Sequence, residues 1–84
     1  MKYKKEVIKI IKGILKTTEK ISAATVLQNI GVDSLSYMEM IIGIEDLFNV
    51  EVCDDDLVIY PEMTVTDVCK IIETCLMKQE VNRR

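Results

Sequence analysis

The stretch Ile30-Gly31-Val32-Asp33-Ser34-Leu35-Ser36-Tyr37-Met38-Glu39-Met40-Ile41-Ile42-Gly43-Ile44-Glu45-Asp46-Leu47-Phe48-Asn49 decides how this chain folds. From Leu35 to Asn49 there is no Pro and a single Gly, so a helix is predicted to start beside Ser34 and to close near Phe48 and Asn49. At about 100° per residue, Tyr37, Met40, Ile41, Ile44, Leu47 and Phe48 share one arc, which reads as the core face. Leu35, Met38 and Ile42 form a second apolar strip, bordered by Glu39 and Asp46 on one side and Glu45 on the other. Two readings of that strip stand side by side, a wider buried face or a docking surface. A buried strip has no need of acids on both borders, whereas a surface for a basic protein partner does.

Ser34 also has two readings. Ser and Asp are both common N-caps, so either Asp33 or Ser34 could simply cap the helix. A hydroxyl held at a helix N-terminus also faces free amides and the positive end of the helix dipole, a setting suited to a phosphate-bearing group. The chain has no His, and residues 21–69 contain no Lys or Arg, so nothing nearby could activate Ser34 as a nucleophile. Chemistry on this side chain has to come from another enzyme.

Working outward, Val7, Ile10, Ile11 and Ile14 recur at helical spacing, predicting an amphipathic first helix over residues 3–17. Lys5, Lys9, Lys12 and Lys16 repeat on another face; without aromatic or Arg partners this stripe reads as solvated surface rather than as a nucleic-acid face. Residues 19–33 read as a long irregular connection pinned by Ile21, Leu27 and Ile30, and loops of that length are often functional. Beyond the central helix, Val50-Glu51-Val52 is extended, and Asp54-Asp55-Asp56 opens a short third helix ending before Pro61. Thr64 to Asp67 has capping-box spacing, and Val65, Val68, Cys69, Ile72 and Leu76 continue as a fourth helix. Residues 79–84 are polar and are expected to fray. The expected fold is all-α: a four-helix bundle with a short third helix and a long loop between helices 1 and 2, one domain over residues 1–84.

Composition narrows the function. Eighty-four residues, 49% hydrophobic and 30% charged, fit one small domain with one modest core and no deep cleft. Histidine-based catalysis and histidine metal ligation are excluded. Lysines interrupt the N-terminal apolar residues where a signal peptide would have an unbroken run, so the expectation is a soluble, cytoplasmic chain, not a membrane protein. Cys53, Cys69 and Cys75 lack C-x-x-C spacing and read as buried thiols, with no disulfide framework, zinc site or redox role. Residues 1–20 carry seven Lys against two Glu, whereas residues 21–69 carry ten carboxylates and no basic side chain. Such an acidic middle repels nucleic acid and draws basic protein partners at low salt. For any single carboxylate, solubility alone is an adequate reason. The cluster Asp54 to Asp56 lacks the ligand spacing and glycine of an EF-hand, and no nucleophile–base pair or phosphate-cradling glycine loop marks an enzyme.

The segment Ile30-Gly31-Val32-Asp33-Ser34-Leu35 resembles the attachment motif of acyl and peptidyl carrier proteins. The similarity extends over the Lys-rich first helix, the long loop, Met38-Glu39, Ile44 to Phe48, Val52 to Asp56 and Thr64 to Val68. It implies that a phosphopantetheinyl transferase attaches 4′-phosphopantetheine from coenzyme A to Ser34, flanked by Asp33 and Leu35. The arm would carry acyl, polyketide or aminoacyl groups as thioesters among loading, condensing and tailoring enzymes. The same resemblance makes helix 2 the recognition element, with Leu35, Met38 and Ile42 as apolar contacts and Glu39, Glu45 and Asp46 pairing with basic residues; Asp54, Asp55 and Asp56 add to it. Ser36 stands where carriers of fatty acid synthesis usually have an acid, and Cys53 where they commonly have Pro. A discrete, monomeric carrier for polyketide, nonribosomal peptide or other specialised biosynthesis therefore fits at least as well as one for fatty acids. The rival reading is an unmodified acidic helical module that binds a basic partner and uses Ser34 only as a cap.

Overall fold

The computed structural model describes residues 2–82, with side chains through residue 79. Among the described residues there are three α-helices and two 3-10 turns, and no strand. Helix α1 spans Lys4–Leu15, α2 spans Ser34–Phe48 and α3 spans Val65–Asn82. The fold is all-helical, as expected. Helix α1 packs against both other helices. The Tyr3 ring meets Phe48 edge-on with centroids 5.3 Å apart, and Gly43 faces Ile10, so α1 and α2 run antiparallel. The buried arc of α2 is Tyr37, Met40, Ile41 and Ile44, which meets Val7 and Ile11 of α1 and Val65, Val68 and Ile72 of α3 in one core.

The short third helix is not an α-helix. Only Asp54–Asp56 form a single 3-10 turn. The segment between Cys53 and Pro61 is too short to repay helix nucleation, Val58 and Ile59 are β-branched, and Pro61 disfavours α geometry at Tyr60. A second departure is Leu47, placed on the core face by its angle but 57% exposed. It lies at the edge of the buried arc in the last turn, where Tyr3, just ahead of α1, packs on Phe48 instead. A third is Cys53, which is exposed, while Cys69 and Cys75 are buried. The connector that carries Cys53 runs along the surface, with Val52 buried and Cys53 turned outward next to it. Helix α3 remains helical through Asn82, past Gln79 where fraying is expected, and Gln79 Nε2 donates to the Asn49 carbonyl at 2.9 Å. Residues 83 and 84 lie outside the described residues.

The long connection is stitched in place by its backbone. Leu27 N donates to Met63 O at 2.8 Å, Val65 N to Thr25 O at 3.2 Å and Thr66 N to Ala23 O at 3.0 Å. Val26 and Thr64 form an isolated antiparallel bridge. Leu27–Ile30 make a 3-10 turn that Gly31 ends at φ 98, a left-handed conformation with no Cβ cost in glycine. Leu27 and Ile21 are buried and Ile30 is half-buried, so the three sequence anchors hold. This fixed loop is what delivers Asp33 and Ser34 to the start of α2.

Candidate functional site

The helix cap separates Asp33 from Ser34. Asp33 is extended, and its Oδ1 accepts the Ser36 amide at 2.8 Å. The Ser36 amide first, and then its hydroxyl, hold the Asp33 carboxyl below the usual carboxylate range. Asp33 therefore satisfies the cap, and Ser34, the first residue of α2, is exposed with its hydroxyl uncommitted. The amides of Ser34 and Leu35 have no acceptor within the helix, as in any first turn. Ser36, two residues on, is half-buried and turns toward α1, where it lines a small apolar recess with Ile11, Ile14, Leu15, Val32 and Met40.

The strip beside Ser34 is solvent-facing. Leu35 is 69% exposed, Met38 37% and Ile42 53%. Glu39 and Asp46 are exposed along the same side. Glu45 differs: it is half-buried, and its Oε2 accepts the Val52 amide at 2.9 Å. It braces the connector after α2, a bond between residues seven apart that helical periodicity does not signal.

The acidic turn is tied to the same helix. Tyr37 is fully buried, and its hydroxyl donates to the Asp56 carbonyl at 2.7 Å. Burial, reinforced by the Asp56 carboxylate, pushes the Tyr37 hydroxyl up to about 12. This bond puts the 3-10 turn within one tyrosine side chain of the first turn of α2, with Asp54 and Asp55 exposed and Asp56 half-buried. The sequence places Tyr37 in the core; its polar end is the functional part that apolar patterning misses. Val58, 73% exposed, lies just past the turn and escapes a reading that folds it into a helix. The structure thus gathers an uncommitted serine, an apolar strip and flanking carboxylates on one end and face of α2.

A family model described as the phosphopantetheine attachment site matches residues 5–72, and the chain belongs to that family. No curated protein and no solved structure matches it. Proteins of this family carry 4′-phosphopantetheine covalently as a cofactor and act as carriers rather than as catalysts. The residues present fit the group: an exposed primary hydroxyl at the first residue of α2, where the helix N-terminus favours a phosphodiester. Among the described residues no helix is long and apolar enough to cross a membrane.

Proposed function

We propose that Ser34 is the attachment residue and that the protein shuttles acyl, polyketide or aminoacyl groups between partner enzymes of a biosynthetic pathway. One observation carries this reading: Asp33 caps α2, which leaves the Ser34 hydroxyl free at an exposed helix start. When bound, the 4′-phosphopantetheine arm supplies a terminal thiol that holds cargo as a thioester. The chain's own residues hold and present it. The N-terminus of α2 at Ser34 would hold the phosphodiester, whose negative charge the helix dipole favours. Asp33, by fixing the first turn, keeps the hydroxyl pointed outward, but the lack of a nearby base leaves its activation to the transferase.

Leu35, Met38 and Ile42 make an apolar contact for partner enzymes, and Glu39 and Asp46 steer basic residues of those partners toward it. Asp54 and Asp55 extend the acidic rim, with Tyr37 holding them beside α2. Glu45 contributes charge at this border while its hydrogen bond maintains the connector. The protein acts as a monomer in the cytoplasm under this reading, with specificity residing in its partners.

The test is the intact mass of the chain after incubation with coenzyme A and a broad-specificity phosphopantetheinyl transferase. The expected result is a gain of one phosphopantetheine, followed by uptake of an acyl group when an acyl-loading enzyme is added. A chain that gains nothing under conditions that load a control carrier leaves the unmodified acidic module as the better reading.

A further inference from the structure

The connector after α2 and the second half of α3 enclose an open groove of about 720 Å³, at the opposite end of α2 from Ser34. Its walls include Cys53 on the connector and Cys75 on α3, both free thiols. We propose that Cys53 and Cys75 are a reversible redox pair that closes to a disulfide under oxidising conditions and clips the connector to α3. Three observations carry this. Cys53 is exposed and open to a small oxidant, whereas Cys75 lies at the inner side of the same groove. One turn further along α3, Gln79 Nε2 donates to the Asn49 carbonyl at 2.9 Å, which holds the two segments in register next to the cysteines. The Cys53 amide also approaches the Cys75 thiol, leaving the Cys53 Cβ two bonds from that amide and its sulfur one bond further.

The buried and exposed thiols have different parts in the reaction. Burial first raises the Cys75 thiol above its ordinary value, so the exposed Cys53 makes the initial attack. With oxidised glutathione as the oxidant, the Cys53 thiolate attacks one sulfur, forms a mixed disulfide and releases one glutathione thiolate. Cys75 then gives up its proton to solvent, and its sulfur displaces the second glutathione from Cys53. Two protein thiols are oxidised and one oxidised glutathione is reduced to two thiols. Cys69, buried in the core, takes no part. The closed form fixes the connector that Glu45 and Tyr37 otherwise hold by single hydrogen bonds at either end.

The test uses the full chain with Ser34→Ala, which lacks the attachment hydroxyl and hence any arm thiol, and repeats it on the unmodified wild-type chain. Each is equilibrated across ratios of reduced to oxidised glutathione, alkylated, weighed intact and mapped by peptide. The expected product retains one alkylated cysteine, Cys69, with the Cys53 and Cys75 peptides linked. Cys53→Ser and Cys75→Ser each abolish the link, Cys75→Ser leaving a glutathione mixed disulfide on Cys53, while circular dichroism checks that both remain helical. Three alkylated cysteines at every ratio, a bridge involving Cys69, or a persistent mixed disulfide on Cys53 of the wild-type chain would overturn the pairing. None of these outcomes depends on whether Ser34 carries the arm.

Discussion

Tyr37→Phe isolates the bond that ties the acidic turn to α2. The ring stays, so the buried apolar volume is unchanged, and the loss is one hydroxyl donating at 2.7 Å to the Asp56 carbonyl. Removing the hydroxyl leaves that carbonyl without its protein partner in a half-buried place, at a cost of about 1–2 kcal/mol. For a domain of this size that corresponds to a fall of roughly 4–16 °C in the unfolding midpoint. Alkali provides an independent reading. The folded hydroxyl, at about 12, lies above its ordinary value of 10.0, so its contribution is complete below pH 10 and is lost as pH rises through 12. The wild-type chain should therefore lose stability more steeply over that interval than Tyr37→Phe. The assay is thermal and urea unfolding by circular dichroism, with amide exchange at Asp56 and Leu57 to locate the effect. A midpoint within about 1 °C of wild type would refute the bond as a tether, as would equal alkaline slopes in the two chains.

Gly43→Ala should stabilise the chain by roughly 0.5–1 kcal/mol in urea unfolding, since the added Cβ meets Ile10 Cγ2 at an ordinary 3.4 Å and the helix loses its glycine; destabilisation would mean that α1 and α2 approach more closely than described. The Thr64 amide first, and the Tyr60 and Thr64 hydroxyls after it, hold the Asp67 carboxyl below its ordinary 3.8, so its contribution to stability is present above that pH and fades as the pH falls through its folded value. Asp67→Asn should flatten the acid limb of the stability profile, and an unchanged limb would remove Asp67 from it. Lysine at Glu39 and Asp46 together should weaken binding to partner enzymes most at low salt, whereas a loss that persists equally at high salt would point to packing rather than steering.

Helical periodicity made α2 legible, because Tyr37, Met40, Ile41 and Ile44 lie well inside one arc and are all buried. The exposed strip of Leu35, Met38 and Ile42 was legible for the same reason, since two apolar arcs separated by acids cannot both face one core. The capping box at α3 was readable from four residues, and Thr64 N donates to Asp67 Oδ2 at 3.0 Å while Asp67 N donates to Thr64 Oγ1 at 3.3 Å. What stayed hidden depends on partners distant in sequence. The stitching of the long loop rests on bonds from Thr25 and Leu27 to Val65 and Met63, and no local pattern encodes them. Its helical position puts Glu45 among the docking acids, yet one of its oxygens is taken by the Val52 amide. The choice between Asp33 and Ser34 as cap turned on backbone geometry that either residue type permits. A run of acids read as a helix start became one 3-10 turn, since a favourable N-terminus cannot offset a length too short to nucleate.

The central claim is that Ser34, and not another serine, receives the arm. Ser22 is engaged with Thr25, its amide donating to Thr25 Oγ1 at 2.9 Å, and Ser36 is turned toward α1. The direct measurement is peptide mapping by tandem mass spectrometry of the transferase-loaded chain, with Ser34→Ala and Ser36→Ala run alongside. The account predicts phosphopantetheine on Ser34 alone, full loading of Ser36→Ala and none of Ser34→Ala. Modification mapped to Ser36 or Ser22, or a Ser34→Ala chain that still loads, would contradict it.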